Sequence, residues 1–366
     1  MYIYVAIVLC LTVFSCIDLL GVKKTNIYHT AFFFASIAII SVAGFRYGLE
    51  TDYWHYYEVY NQIFHVDALE PAFNSIIMLF RFIGADYTVF IFFVALLSVG
   101  IKTKLFSSLK MSFAALSLFF LRFYILFELN AIRQGLAIAF SMLAIYYYVR
   151  DNNLAKFTIL TLISCMFHAS AIFVFLIIPI RKIRFSFKQI TYMLLGASIF
   201  RIFLLEKTIA LGQGLVPYIL SSSNNLIRGT QYIFHQVNKD LVDNFSFLTL
   251  LRIIISIYAY FYLTSTSHFK NCSKCNIYMN TYLLGSIINI VFMGYDTISY
   301  RLAAPLFCVE PLMFSDSLEG KRVTRGMINL RLLICIIAIF ALDFYSFYNT
   351  VRSSKDLVPY VSIFSK

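Results

Sequence analysis

Charged residues are scarce in this sequence. Only 13% of its 366 residues are charged, whereas 60% are hydrophobic and the mean hydropathy is +0.79. A soluble globular domain averages about 25% charged and about 45–50% apolar residues, so this composition excludes one. Uncharged apolar runs recur along the whole chain, and a spanning helix needs about 20 such residues. The alternation typical of a transmembrane barrel is absent. The sequence therefore predicts an all-α, polytopic membrane protein.

Several chemical signatures are also missing. The seven cysteines are scattered, mostly inside apolar runs, which argues against a disulfide framework. Cys272 and Cys275 have metal-like spacing but no second pair, so zinc is disfavoured. No Walker motif, HExxH sequence or nucleophile elbow is present. We therefore predict neither a metal nor another cofactor. The net charge of +12 is better explained by cytoplasmic loops than by a nucleic-acid partner.

The apolar runs predict a single membrane domain over residues 1–366. Two segments outside the spans are of interest: 46–85, with a re-entrant or amphipathic helix beginning at Pro71, and 206–245, a long polar loop. We place about twelve spans, near 2–20, 27–45, 86–101, 112–128, 132–149, 154–167, 169–180, 190–205, 246–264, 277–293, 302–317 and 328–348.

The basic residues predict the orientation of the chain. More than half of the 30 Lys and Arg residues, Lys102 among them, fall in one alternate set of connections, which contains few of the 18 acids. The positive-inside rule places that set in the cytoplasm and both termini outside. Eight arginines outside that set have no topological explanation, and charge within a membrane is costly and by default functional. These are Arg46, Arg81, Arg122, Arg133, Arg201, Arg228, Arg252 and Arg301.

The first outer cluster is GFRYGLETDYWHYY, residues 44–57. An interfacial aromatic belt accounts for its rings, but not for Arg46 so close to the end of a span. We therefore interpret Arg46, Glu50 and Asp52, with Tyr53 and Tyr57, as part of a reaction site.

A second cluster lies in ELNAIRQGLAIAF, residues 128–140. If a helix begins near Asn130, Arg133 and Gln134 lie in its first turn, where free N–H groups and the positive end of the dipole favour phosphate. A cation is unfavourable at that position by itself, so we expect an anionic partner.

Two further outer positions complete the candidate set. His168 lies at the turn of a tight hairpin, where a structural histidine is an equal alternative. Asp296, Tyr300 and Arg301 begin a late span, where a local Asp–Arg pair is the alternative. If Arg46, Arg133 and Arg301 meet at one outer mouth, their planar forks suit phosphate. The neighbouring rings and amides suit sugars, so the substrate class indicated is an anionic lipid-linked sugar.

The stretches FRYGLETDYWHYY, RQGLAIAF, FHASAIFVFLIIPI and SYRLAAPLF, in this order, resemble the EpsG family of bacterial polysaccharide proteins. That family is similar in role to the Wzy polymerases of O-antigen and capsule. The resemblance implies a multi-pass glycosyltransferase of the GT-C type in the bacterial inner membrane, active in exopolysaccharide or lipopolysaccharide synthesis. Such an enzyme joins glycans carried on undecaprenyl pyrophosphate at the periplasmic or outer face, without nucleotide sugar or ATP.

Matching positions carry the family's motifs. Arg46, Gly48, Asp52 and Tyr53 fill the first, Arg133 and Gln134 the second, and His168 the third; Glu50-Thr51 stands where the family often has Gly before Thr-Asp. We assign catalytic roles to Asp52, Glu50, Arg46 and His168, pyrophosphate binding to Arg133, Gln134, Arg301 and Arg228, and sugar binding to Tyr53, Tyr57, Tyr300 and Asp296.

The expected partners are undecaprenyl-pyrophosphate-linked glycans, membrane lipid and a chain-length regulator, with no nucleic acid. Two alternatives stay open: an O-antigen ligase, which uses the same donor, and a flippase or transporter of lipid-linked sugars. The latter would need internal repeats and midplane charges.

Overall fold

The computed structural model describes residues 2–20, 25–49, 51–62, 70–220, 247–265, 273–293, 296–317, 330–354 and 357–364. Within these ranges the chain is helical, and its only β contact is an isolated bridge between Arg46 and Ser362. The helices are α1 (Tyr2–Leu20), α2 (Asn26–Gly44), α3 (Thr51–Tyr60), α4 (Pro71–Phe82), α5 (Tyr87–Ser107), α6 (Ser112–Phe119), a π-helix (Phe120–Asn130), α7 (Ile132–Asp151), α8 (Leu154–Phe167), a 3₁₀ helix (Ala169–Leu176), α9 (Ile177–Ile180), α10 (Phe187–Leu220), α11 (Phe247–Ser265), α12 (Ser273–Val291), α13 (Asp296–Phe307), α14 (Glu310–Ser317) and α15 (Leu330–Ser353).

Each of the predicted spans coincides with helical structure, but fewer helices meet the requirements for crossing a bilayer. Six stretches of the described chain are long and apolar enough: α1, α2, α5, α6 with the π-helix, α7, and Leu333–Ser353 of α15. Among the described residues, α4, α8 and the 3₁₀ helix with α9 are shorter apolar helices. The described residues therefore support a membrane protein with six candidate spans.

Helical structure continues past residue 205, where the eighth span is predicted to end. Helix α10 continues to Leu220, because the sequence becomes apolar again after Glu206 and Lys207. The first part of the predicted loop 206–245 is therefore helical, and its polar remainder, 221–246, lies outside the described residues. The short helix expected at Pro71 is α4, which buries Phe73, Ile77 and Phe80.

The bundle is organised around the run formed by α6 and the π-helix. Of its apolar window, Ser112–Asn130, 89% is buried, against 28% for the corresponding windows of α1 and α15. The run is rich in aromatic and aliphatic residues, and almost every side chain in it is buried. The elements that surround it, α5, α7 and α13, each contact it or contact one another, and they carry the candidate site.

One end of the bundle, which we call the basic end, contains the turns from α5 to α6, α7 to α8 and α9 to α10. Asp18 ties three helices together there, because its carboxylate accepts hydrogen bonds from the backbone N–H groups of Phe113 (2.8 Å) and Ala114 (3.1 Å) and contacts the Tyr28 hydroxyl. Predicted cytoplasmic residues occupy these turns and their flanks: Lys104, Lys110, Arg150, Lys156, Arg181, Lys182, Arg184 and Lys188.

The opposite end, the aromatic end, is formed by α3 with its flanking residues and by the starts of α5 and α7. The last described segment, 357–364, lies there as well. The Tyr360 hydroxyl donates to the carbonyl of Val42 (3.1 Å), and the Tyr360 ring packs edge-on against Tyr4 near the start of α1. The two termini of the described chain therefore lie at the same end, opposite to the basic turns.

The prediction that Lys102 lies in a cytoplasmic loop is wrong. Its side chain is completely buried in α5, where the ammonium pairs with Glu128 and donates to the Ser98 hydroxyl (2.8 Å) and to the Gly135 carbonyl (2.7 Å). A cation in an apolar interior is tolerable only with such partners. Lys102 therefore holds α5, the π-helix and α7 together.

Candidate active site at the aromatic end

The site is built where the π-helix ends and α7 begins. The Ala131 N–H bonds to the Leu126 carbonyl (2.8 Å), which closes the wide turn, and Ala131 then leaves helical geometry with φ −79° and ψ 63°. Helix α7 starts at Ile132 with no side-chain cap. Arg133 and Gln134 therefore occupy the first turn, as predicted, beside N–H groups that the helix itself does not use.

Gly135 permits the sharp reversal between the two helices. A Cβ atom at this position would lie 2.3 Å from the carbonyl oxygen of Phe127. The backbones of the π-helix and α7 therefore touch at this point, and only glycine fits without displacement of one of them.

Arg133 is held from two directions. Its guanidinium pairs with Glu70, at the start of α4, and its Nε donates to the Tyr56 hydroxyl (3.2 Å) on α3. The pair is partly exposed, at 24% for the Arg133 side chain and 20% for Glu70. Glu70 is therefore an anionic partner of Arg133 within the chain itself.

Glu70 was not identified from the sequence, although its position immediately before Pro71 was a signal. Glu70 precedes Pro71 at the cap position of α4 but makes no side-chain capping bond. Its carboxylate faces Arg133 instead.

Gln134 joins the second, third and fourth sequence clusters. Its amide nitrogen donates to the carbonyl oxygen of Arg301 (2.5 Å) and to the Ser170 hydroxyl (3.3 Å). Ser170 in turn contacts Nδ1 of His168 at 2.8 Å. The Oε1 atom of Gln134 is buried and has no hydrogen-bond partner within the described ranges. This side chain therefore fixes α13 and the His168 turn against the start of α7.

His168 lies in the turn between α8 and the 3₁₀ helix. Burial lowers its pKa to about 4; the Glu70 carboxylate opposes this shift, and the charges of Arg133 and Arg301 reinforce it. The imidazole is therefore neutral at pH 7. A base this weak is poorly matched to proton abstraction near neutral pH, which favours a positioning role over the predicted catalytic one.

Tyr56 lies between the charged groups. Burial raises the pKa of Tyr56, Arg133 lowers it, Asp52 raises it, and Arg301 lowers it again. The charges of Asp52, Arg133 and Arg301 therefore converge on one hydroxyl group. The guanidinium of Arg301 and the carboxylate of Asp52 form no hydrogen bond or ion pair with the part of the chain that the structure describes.

Arg46 contacts Ala43 and Tyr53, and the expectation that it meets Arg133 and Arg301 at one mouth stays a prediction. Its side chain is only 2% exposed, Nη1 contacts the carbonyl of Ala43, and Nε and Nη2 have no partner among the described residues. The guanidinium lies 5.9 Å from the Tyr53 ring centroid. Arg46 is buried because the chain folds back over it to form the bridge to Ser362.

The aromatic residues of the first cluster form a packed group of rings. Tyr53, predicted to bind sugar, is only 3% exposed and lies edge-on to Trp54 and Tyr87, each at 5.3 Å, so its ring face is unavailable. Tyr57 is 37% exposed and Trp54, which was not proposed, is 44% exposed. Gly48 has a φ of +62°, which turns the backbone beside the Trp54 ring.

Tyr300 packs against the π-helix. Its ring stacks on Phe127 at 5.9 Å, and its hydroxyl donates to the carbonyl oxygen of Arg122 (3.4 Å). Of the other proposed site residues, Glu50 and Arg228 lie outside the described residues, as does the side chain of Asp296, the first residue of α13.

Comparison with known proteins gives one match. A search of the curated proteins and a search of the solved structures each found no match. The sequence pattern of the EpsG family matches residues 29–362, which includes every cluster described above. The chain therefore belongs to the EpsG family, a family of Wzy-like polysaccharide polymerase or glycosyltransferase-type membrane proteins.

Proposed function

We propose that this protein polymerises oligosaccharide repeat units carried on undecaprenyl pyrophosphate, and that it does so on the outer side of the bacterial inner membrane. Its products would be O-antigen or exopolysaccharide. The observation that carries the proposal is the guanidinium of Arg301, which has no partner among the described residues and acts with Arg133 on Tyr56 and His168, close to the uncapped start of α7.

These groups suit a pyrophosphate that is leaving. Arg301 supplies a full positive charge, and the N–H groups at the start of α7 supply a positive dipole end. Arg133 keeps one edge on Glu70 and Tyr56 and is thereby held in place. Preorganised donors that meet developing negative charge are usually the largest single contribution to catalysis.

Asp52 is the best candidate for the proton acceptor. Among the described residues it has no bonding partner, and its charge acts on the same Tyr56 hydroxyl as those of Arg133 and Arg301. Glu70 is already paired with Arg133. A carboxylate without a partner is the one available to a sugar hydroxyl.

The proposed step is a substitution at the anomeric carbon of the growing chain. A hydroxyl oxygen of the incoming repeat unit forms the new glycosidic bond, and its proton passes to Asp52. The bond from the anomeric carbon to the pyrophosphate oxygen breaks, and lipid pyrophosphate leaves with the electron pair against Arg301 and Arg133.

The proposed sidedness is supported by the distribution of basic residues. The described turns rich in Lys and Arg lie at the basic end, and the site lies at the opposite end. Under the positive-inside rule the site faces outward.

The test is the Arg301→Ala variant, with Arg301→Lys beside it. Lys keeps the charge but loses the planar fork, so it should recover only part of the activity. We expect Arg301→Ala to lower polymer formation by about 10²–10³-fold, the usual effect of losing one donor to developing charge. The ladder of chain lengths on a gel measures this in cells and with purified protein.

A matched control is Arg352→Ala, which removes an exposed arginine from the last turn of α15. Its ladder should equal that of the wild type. A normal ladder from Arg301→Ala would refute the proposal. Transfer to a lipid A core acceptor, without growth on the repeat unit alone, would identify a ligase instead.

A further inference from the structure

A second polar cluster lies beside the site and has no role in the proposed step. Arg252 makes a two-pronged contact with Asp343, from Nε to Oδ1 at 2.8 Å and from Nη2 to Oδ2 at 2.6 Å. Arg252 and Arg122 both bond to the carboxylate of Glu310. The four side chains come from the π-helix, α11, α14 and α15, and each is at most 8% exposed. We call them the ion quartet.

Most hydrogen-bonding groups of the ion quartet are paired within the quartet, but the Arg122 guanidinium is paired only in part. Its Nη1 bonds to Glu310 and approaches the Tyr282 hydroxyl (3.5 Å). Its Nε and Nη2 have no hydrogen bond to any described residue, and neither atom is fully enclosed. Because the quartet holds two positive and two negative side chains, it presents these donors without net charge.

Arg122 lines two adjoining cavities, of about 330 Å³ and about 290 Å³. Their volumes are close to or within the usual range for small-ligand sites. Both share Tyr300, Ser346 and Thr350 as wall residues. The larger also has polar wall residues at Thr249, Tyr345, Asn349 and Ser353.

The smaller cavity has an unused acceptor. Asn130, the last residue of the π-helix, lines it, and its buried Oδ1 has no hydrogen-bond partner in the part of the chain that the structure describes. A buried acceptor left unpaired is unfavourable, so a ligand that donates a hydrogen bond to it binds more tightly. The groove formed by the two cavities thus offers donors at Arg122, an acceptor at Asn130, hydroxyls on α15 and the Tyr300 side chain.

We infer that this groove binds a neutral, hydroxyl-rich oligosaccharide, the sugar part of the lipid-linked substrate. The inference rests on the proposed function. Sugar hydroxyls both donate and accept, which fits the mixed wall, and an uncharged sugar fits the neutral quartet. The groove lies near the proposed phosphate-binding side chains, because Tyr300 lines it and the next residue is Arg301.

The experiment measures two kinds of binding to the purified full chain. The probes are neutral oligosaccharides released by mild acid from the host's own polysaccharide, and inorganic pyrophosphate. Ser346→Phe fills the space that both cavities share, and Ile337→Phe on the same helix is the control, because Ile337 is exposed and lies outside the groove.

We expect Ser346→Phe to weaken oligosaccharide binding at least tenfold and to leave pyrophosphate binding within twofold of the wild type. Arg301→Ala should show the reverse pattern, and Ile337→Phe should change neither. If Ser346→Phe fails to fold, the smaller Thr350→Val change removes one wall hydroxyl and should weaken oligosaccharide binding severalfold.

Wild-type oligosaccharide affinity in these groove variants would overturn the inference, as would an equal loss for both probes. The proposed function fails separately. If the protein binds oligosaccharide in the groove but forms no polymer, the inferred sugar subsite stands and the proposed polymerase activity does not. If polymer formation depends on Arg301 but oligosaccharide binding is unchanged by Ser346→Phe, the proposed polymerase activity stands and the inferred sugar subsite does not.

Discussion

Replacement of Gly135 by alanine tests whether the start of α7 is positioned as the site requires. The added Cβ would lie 2.3 Å from the Phe127 carbonyl oxygen and 3.2 Å from its carbon. Carbon and a carbonyl oxygen approach no closer than about 3.3 Å in ordinary contacts, so the gap must open by about 1 Å. Both contacting atoms are backbone, so a side-chain rotation cannot relieve the overlap.

The expected loss follows from that displacement. Arg133 and Gln134 share the first turn of α7 with Gly135 and move with it. A misplacement of about 1 Å can cost on the order of 10²-fold in rate. The overpacking itself should destabilise the protein by about 1–3 kcal/mol. We therefore expect Gly135→Ala to fold but to form polymer on the order of 10²-fold more slowly.

The assay compares polymer yield per folded protein, with the folded fraction taken from size-exclusion chromatography in detergent. Gly100→Ala in α5 is the matched control, because its added Cβ meets nothing within 4 Å. It should be as active as the wild type and stabilised by about 0.5–1 kcal/mol. Equal ladders from the two alanine variants would refute the reasoning.

Two further predictions concern buried groups. Lys102→Met leaves the Glu128 charge unpaired and should lower the free energy of unfolding by about 3–5 kcal/mol. Adding Glu128→Gln removes that charge and should recover most of the loss. Thermal melting in detergent measures both variants, and equal melting temperatures for the single and the double variant would contradict the pairing. His168 has a folded pKa of about 4 against an ordinary value of 6.5, so the unfolded chain binds more protons between these values and stability falls as the pH drops through that window. His168→Gln should make the loss of stability between pH 6.5 and about 4 smaller, and it should leave the shape of the activity profile between pH 6 and 8 unchanged. An altered activity profile would show that the imidazole acts as the base.

The positions of the helices were largely predictable, because they follow from local pattern. The predicted start of α7 close to Asn130 placed Arg133 and Gln134 in the first turn, and the structure agrees. The eighth span is predicted to end at 205, but helical structure continues to Leu220, so the end of this helix was not predicted.

The candidate site was predictable in part. The sequence pointed to Arg133, Gln134, His168 and Arg301, and the structure brings them together around Ser170 and Tyr56. It did not reveal that Arg46 is enclosed by the returning C-terminal segment. An arginine near the end of a span looks the same in a sequence whether it is open or covered.

The sequence by itself determined that the chain is helical and apolar, which family it belongs to, and which turns carry the basic residues. These properties depend on composition and on neighbours a few positions apart. Only the tertiary structure decided that Glu70 pairs with Arg133, that Lys102 pairs with Glu128, and that Tyr300 faces the ion quartet. Such choices depend on which distant side chains the packing of helices brings within bonding distance, and the spacing of residues along one helix does not specify them.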